Sequence, residues 1–182
     1  MSSCTGSLLR ILATDLLVLL LLATSPAVHA DLDYPDFLDM TGLTLVGSAA
    51  QSGDRVRLTP ATTGQVGAVY TSDQIALLDG FDTTFTYEVT PITGGADGMV
   101  FIIQNESPTS LYSNGGPLGY DGMLNSVVVE IDTYVNGNFN DPPMQHLSIH
   151  GRATAPNSAD ELIAGLAIDT TLPNVTGLRT MR

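Results

Sequence analysis

The stretch VVEIDTYVNGNFNDPPMQH, residues 128–146, starts as an apolar run and continues into a polar, proline-containing loop. Glu130 and Asp132 are separated by one isoleucine, so on a β-strand both carboxylates point to the same face. Asn136 and Asp141 add oxygen donors from the loop that follows. Two carboxylates this close repel each other unless a cation or hydrogen-bond donors lie between them. The stretch is therefore compatible with a metal site, a catalytic acid pair or a solvated polar hairpin.

The segment after the loop directs a histidine toward the same place. His146, Ser148 and His150 alternate with apolar residues and so share one face of a strand. If this strand lies near the one before the loop in one sheet, then Glu130, Asp132 and His146 converge on one side. The convergence depends on register, because a slip of one residue would turn one set to the opposite face. We interpret His150 as a polar surface residue and not as a ligand.

Short β-branched and aromatic runs, separated by turn residues, extend over the rest of the chain, and no helical periodicity of useful length follows residue 30. The runs are 55–59, 83–90, 98–104, 126–134 and 146–150, with turn signals at 94–95, 114–117, 121–122, 136–137 and 141–143. Closely spaced strands with such turns predict an all-β, antiparallel sandwich of the jelly-roll type. Within it, Val127, Val129 and Ile131 are expected to face the second layer.

Residues 1–30 have the pattern of a secretory signal peptide. A polar N-terminal stretch that includes Arg10 precedes an apolar core, and small residues end the segment at Ala30. The core is too short to span a bilayer comfortably, so we expect secretion to the extracellular side, with no membrane insertion after signal cleavage. The remaining residues, 31–182, form the predicted domain. The single cysteine, Cys4, lies in the leader, so the mature domain would have no disulfide.

The chain is strongly acidic, with 19 Asp and Glu against 6 Lys and Arg and a formal net charge of −13. The predicted leader contains one acid and one base, so its removal leaves the net charge unchanged. Such a surface repels nucleic acid and anionic membranes, which excludes both as expected partners. Most of the acids are expected to keep the protein soluble, while a few could surround cations.

The donor types around the loop favour two kinds of ion. Carboxylate, amide and backbone carbonyl oxygens in a flexible loop suit Ca²⁺. Carboxylates combined with an imidazole suit a transition metal such as Mn²⁺. The full spacing, Glu130-x-Asp132-x-Tyr134-x-Asn136 followed by Asp141 and His146, resembles the metal loop of the legume (L-type) lectins, and all six positions carry that family's residue types.

That resemblance implies a ligand set for each metal. The transition metal, Mn²⁺ or another divalent ion, would be bound by Glu130, Asp132, Asp141 and His146. Calcium would be bound by Asp132, Asp141, the Asn136 side chain and the Tyr134 carbonyl. The resemblance covers roughly residues 36–155 and also includes the segments 43–49, 81–87, 96–103 and 115–119. It implies a concanavalin A-like fold and glycans or glycoproteins as partners.

The same resemblance implies a sugar site. Asp97 would accept hydrogen bonds from two sugar hydroxyls, and Gly116 would donate one from its backbone. Asn136 would donate its amide to the sugar while its oxygen faces calcium, and the Tyr134 ring would pack on the apolar side of the sugar. The family also implies a cis peptide between Ala96 and Asp97.

The chain departs from the family pattern toward its C-terminus. Residues 151–182 match only loosely, with a long loop and then a strand expected around 162–168. Roughly the last third of the usual domain, including a loop that contributes to sugar specificity, is expected to be absent. The sandwich is therefore predicted to be incomplete, with exposed sheet edges and apolar surface.

Two alternatives remain. Glu130-Ile131-Asp132 also resembles the start of the laminarinase-like glycoside hydrolase motif, which continues to a second glutamate on the same strand. Tyr134 and Val135 stand where that glutamate would be, and the chain has no tryptophan. The other alternative is a surface or adhesion module whose metal is purely structural. No other catalytic arrangement is recognisable in the sequence, so we expect a non-catalytic lectin domain.

Overall fold

The structure, a computed structural model, describes residues 32–78, 80–90, 95–171 and 175–182. The predicted signal peptide lies outside the described residues and stays a prediction. Within the described part of the chain, no helix is long and apolar enough to cross a membrane.

The regular secondary structure of the described residues is almost entirely β, which confirms the predicted fold class. Its strands are β1 (Leu43–Gly47), β2 (Ala50–Ser52), β3 (Arg55–Arg57), β4 (Gly67–Thr71), β5 (Phe85–Val89), β6 (Gly98–Gln104), β7 (Ser126–Asp132), β8 (His146–Gly151), β9 (Gly165–Asp169) and β10 (Gly177–Met181). A 3₁₀ turn at Gly137–Phe139 and the short helix α1 (Glu161–Ala164) are the helical elements of the described residues.

The largest sheet is antiparallel and has the strand order β6-β7-β8-β9. The pairs β1–β4, β5–β10 and β2–β3 form smaller antiparallel ribbons. The strand expected around 162–168 is only partly correct, because residues 161–164 form α1. The Asp160 side chain accepts a hydrogen bond from the Leu162 amide and so caps that helix, and β9 starts only at Gly165.

One face of the large sheet is covered and carries the polar side chains. On β7, Val128, Glu130 and Asp132 are buried, as their alternation predicts. A small apolar cluster on this side joins the sheet to the segments 118–120 and 159. Its members are Tyr120, Val128 and Ala159, with Val100, Ile102, Leu118 and Phe139 packed around them. Among the described residues, the buried acids thus lie under loops and α1 and not under a second sheet.

The opposite face of the large sheet contacts the β5–β10 ribbon over part of its area. Phe85 on β5 stacks on Phe101 on β6, with ring centroids 5.4 Å apart. Val129 lines a cleft together with these two rings, as predicted for a residue that faces the second layer. Val127 is 49% exposed, however, and Ile149 and Leu166 are also exposed. The second layer therefore covers this face incompletely, which agrees with the predicted exposure of apolar surface.

Candidate functional site

The register of the large sheet brings the predicted acids and histidine to one place. Asp132 pairs with His146, and Glu130 pairs with Ser148, across β7 and β8. All four side chains point to the covered face, and Glu130, Asp132 and His146 are only 2%, 1% and 1% exposed. The convergence predicted from strand alternation is confirmed.

Three of the predicted metal ligands form a compact donor group. Atoms of Asp132, Asp141 and His146 all lie within 4.8 Å of one another. Asp141 comes from the loop after the 3₁₀ turn, where its Oδ2 accepts a hydrogen bond of 2.5 Å from the Asn136 amide. The Tyr134 amide donates to Asp132 Oδ1 at 2.7 Å. The loop backbone thus holds both carboxylates in place with one oxygen each engaged.

Asn136 connects this group to the predicted sugar site. Its Oδ1 is buried and has no hydrogen-bond partner, whereas its Nδ2 donates to Asp97 Oδ1 at 3.3 Å. A buried amide oxygen without a partner is costly unless a donor or a cation satisfies it. Because Asp132 and Asp141 flank the same loop, the donor set fits a hard cation such as Ca²⁺.

The predicted sugar-binding residues also come together. A Cβ added to Gly116 would lie 2.8 Å from Asn136 Cγ and 2.7 Å from the Phe139 ring, so the glycine backbone packs directly on both. The peptide between Ala96 and Asp97 is cis, as the resemblance implies. Tyr134 lies at the rim, with 52% of its surface exposed. Asp97, Gly116 and Asn136 thus form a single patch at the end of the sheet.

Burial determines the electrostatics of the acids. It raises the pKa of Glu130 to about 7 and that of Asp132 to about 7, and the neighbouring Asp141 carboxylate adds to the rise in Asp132. Burial likewise raises the pKa of Asp141. Since a nearby positive charge favours the ionised form of a carboxyl group, a bound cation would lower all three pKa values.

Glu130 is not part of the compact donor group of Asp132, Asp141 and His146. Its Oε2 accepts a 2.7 Å hydrogen bond from the Tyr120 hydroxyl and lies 3.2 Å from His150 Nε2. The structure therefore places Glu130 beside His150, while Asp132, Asp141 and His146 form the separate group described above.

The interpretation of His150 as a surface residue is wrong. Its side chain is 0% exposed, because the loop around Ser158 covers this end of β8. The sequence analysis also missed Glu161, whose Oε1 lies 2.9 Å from His146 Nε2 and 3.3 Å from His150 Nε2. The shared face of His146 and His150 was visible in the alternation, and Asp160 is a typical helix cap. The sequence does not indicate which segment covers the histidines, because the loop 152–160 has no periodicity.

Comparisons with known proteins agree with this geometry. The model of the legume lectin domain matches residues 29–166, which is more than half of the chain. A lectin of Bauhinia forficata is 33% identical over 135 residues, covering 64% of this chain and 57% of the relative. Truncated lectin 2 of Medicago truncatula is 30% identical over 171 residues, covering 84% of this chain and 60% of the relative.

The structure is also similar to that of peanut lectin with a nine-residue peptide. The TM-score is 0.60 at 25% identity, and the match covers 76% of this chain and 63% of that chain. This similarity confirms the concanavalin A-like jelly roll. The chain spans about three fifths of the length of the curated relatives that it matches.

Proposed function

This chain belongs to the legume lectin domain family, and on that basis we propose that it is a secreted carbohydrate-binding domain without catalytic activity. Its sugar site would be organised by Ca²⁺ and by a divalent transition metal such as Mn²⁺. Glycans or glycoproteins would be its partners.

The observation that carries this proposal is the orientation of Asn136. Its amide nitrogen points to Asp97, and its buried oxygen, which has no partner, belongs to the loop that holds Asp132 and Asp141. One side chain therefore joins the acidic donor group to the patch of Asp97 and Gly116. This is the arrangement expected if a cation fixes the oxygen so that the nitrogen is presented to a sugar hydroxyl.

Each residue of the patch offers a contact that suits a polyol. The Asp97 carboxylate accepts hydrogen bonds from hydroxyls, whereas the Gly116 amide and Asn136 Nδ2 donate them. The exposed Tyr134 ring provides an apolar surface for one side of the sugar. Gly116 permits close approach, because any side chain there would collide with Asn136 and Phe139.

Asp132, Asp141, Asn136 Oδ1 and the Tyr134 carbonyl would hold calcium. When bound, calcium supplies the positive charge that offsets the repulsion between the two aspartates and satisfies the amide oxygen. Burial of Asp132, which raises its pKa to about 7, is consistent with a carboxylate that needs this compensation. Metal removal should therefore disturb Asn136 first and sugar binding with it.

The hydrolase alternative is disfavoured by burial. Glu130 and Asp132 are 2% and 1% exposed, so a glycosidic bond cannot reach either carboxylate. The Glu130 carboxylate is also occupied by Tyr120 and His150. The third alternative, a structural module, predicts a metal-dependent fold with no affinity for glycans.

A glycan array with and without EDTA tests the proposal, using the full chain and the variants Asp97→Ala and Asp132→Ala. We expect the native chain to bind glycans, and both EDTA and Asp132→Ala to abolish this binding. Asp97→Ala should abolish glycan binding without loss of the metal. Binding that survives both chelation and Asp132→Ala would refute the metal-dependent lectin. Turnover of a β-glucan that is lost in Glu130→Gln would favour the hydrolase.

A further inference from the structure

Two asparagines of this chain are followed by glycine, and both lie at the patch of Asp97, Gly116 and Asn136 (the sugar patch). The pairs are Asn114-Gly115, directly before Gly116, and Asn136-Gly137. Asparagine loses its side-chain ammonia most readily when glycine follows, because glycine has no side chain to hinder attack by its own backbone nitrogen. The sugar patch therefore contains two positions at which the sequence favours deamidation.

The first pair is free to react. Asn114 is exposed, and its side chain makes no hydrogen bond to any residue that the structure describes. The same holds for the backbone N–H of Gly115, which is the attacking group. Gly115 has a φ of 77°, a conformation that glycine adopts readily and other residues do not. The turn thus requires the residue that makes Asn114 labile.

The second pair is held in place. Asn136 Nδ2 donates to Asp97 at 3.3 Å, and the Asn136 carbonyl oxygen accepts a 2.8 Å hydrogen bond from Phe139. The Asn136 backbone N–H also donates to Asp141. At the observed ψ of 89°, the nitrogen of Gly137 points away from the Asn136 side chain, so ring closure there requires the loop to open.

We propose that Asn114 is a site of spontaneous deamidation and that its products inactivate the sugar patch. The Gly115 nitrogen loses its proton to solvent and attacks Asn114 Cγ. A C–N bond forms, the side-chain nitrogen leaves as ammonia, and a five-membered succinimide results. Water then cleaves one of the two imide C–N bonds. Cleavage at Cγ gives aspartate, and cleavage at the backbone carbonyl carbon gives isoaspartate, in which the main chain runs through Cβ and Cγ.

Both products disturb the residues that follow. Isoaspartate lengthens the main chain by one methylene group, two residues before Gly116. Gly116 is closely packed, since a Cβ built on it would lie 2.7 Å from the Phe139 ring and 2.8 Å from Asn136 Cγ. Either product also adds a negative charge near Asp97, whose Oδ2 lies 3.8 Å from a Cβ built on Gly115.

The Gly116 amide is therefore displaced, and glycan affinity falls. This loss of affinity rests on the proposed function, whereas the chemical modification does not.

The test is a long incubation of the full chain at pH 8 with Ca²⁺ and Mn²⁺ present, followed by peptide mass mapping and binding to the glycan array. Deamidation raises the mass of a peptide by about 1 Da, and enzymatic methylation of isoaspartate separates the two products. Asn114 should convert at least about tenfold faster than Asn136. Asn138, which is exposed but followed by Phe139, is the control within the chain and should convert as slowly.

Asn114→Gln is the matched variant, because a glutamine keeps the amide but would have to close a six-membered ring, which forms far more slowly. The native chain should lose array binding in proportion to the converted fraction. Asn114→Gln should keep its binding through the same incubation.

Three results would overturn the inference. Conversion of Asn114 no faster than that of Asn138 would show that the turn does not react. Faster conversion of Asn136 than of Asn114 would contradict the difference in how the two pairs are held. Undiminished array binding by a fully converted chain would refute inactivation. A chain that binds no glycan before incubation would refute only the lectin proposal, because the mass measurement still decides whether Asn114 is modified.

Discussion

Removal of divalent ions should make the stability of this protein fall as the pH rises from about 4 to about 8. Burial raises the pKa of Glu130 and of Asp132 to about 7. In the unfolded chain, Asp and Glu side chains have pKa values of about 4. Between these values the folded state binds more protons than the unfolded state, so the free energy of unfolding decreases with increasing pH.

The size of the effect follows from the two carboxylates. One pH unit of pKa shift corresponds to about 1.4 kcal/mol, so a rise of about 2.5–3 units costs on the order of 3–4 kcal/mol for either group alone. The two groups lie on one strand face and titrate as a coupled pair, so their costs do not simply add. We expect a total loss of about 3–5 kcal/mol, a large fraction of the stability of a typical domain.

The neighbouring ionisable groups do not reverse this direction. Although burial lowers the pKa of His146 and His150, hydrogen bonds and charge from Glu161 and the other acids raise both above the usual 6.5. The stability that the two histidines contribute is complete below about pH 6.5, and it is lost as the pH rises through their higher pKa values in the folded state. Burial opposes ionisation of Glu161, but hydrogen bonds from both histidines lower its pKa to about 2. Its contribution is therefore lost only below about pH 4.

Urea unfolding from pH 4.5 to 8, in EDTA and in excess Ca²⁺ with Zn²⁺ or Mn²⁺, measures the effect. In EDTA the midpoint should decrease steadily, whereas with metals it should stay level or rise, because metals bind the deprotonated ligands of the folded state. Asp132→Asn is the control, because it removes one of the raised carboxyls and should flatten the EDTA profile. Equal free energies of unfolding at pH 5 and pH 8 in EDTA would refute the raised pKa values of Glu130 and Asp132.

Three further substitutions test other parts of the site. Gly116→Ala should reduce glycan affinity at least tenfold on an array and stability by about 1–3 kcal/mol, because the new methyl would lie 2.7 Å from Phe139. Tyr120→Phe removes the hydroxyl that donates to Glu130 at 2.7 Å, and urea unfolding at pH 7.5 should show a loss of about 1.5–3 kcal/mol. Asp160→Ala removes the cap of α1, so urea unfolding should show a loss of about 1 kcal/mol in the free energy of unfolding.

Strand alternation was sufficient to predict the orientation of the site. The order of apolar and polar residues in 126–132 and 146–150 placed Glu130, Asp132 and His146 on one face, and the observed register agrees. Alternation is reliable here because each strand is a regular, period-2 segment between clear turn signals. The spacing of the loop ligands then identified the family, which brought Asp97 and Gly116 into the same patch.

The parts that could not be predicted depend on segments without periodicity. Burial of His150 comes from the loop around Ser158, whose path no local pattern encodes. Glu161 faces the histidines because Asp160 stops the loop and starts α1 at that point, so a one-residue change in the loop length would turn the carboxylate elsewhere. Tyr120 reaches Glu130 across the same covering layer. Alternation indicates which face a side chain occupies, but not what lies above that face.

His146 lies between the aspartates of the metal loop and the carboxylate of Glu161. Its Nδ1 faces the Met144 carbonyl oxygen, so Nε2 alone can bind a metal. That side chain belongs to the group with Asp132 and Asp141, yet its Nε2 is only 2.9 Å from Glu161. Nε2 cannot share a proton with Glu161 and bind a metal at the same time, so a metal bound beside the aspartates would replace the contact with Glu161. Glu161 would then keep His150 as its histidine partner, with Oε1 3.3 Å from Nε2.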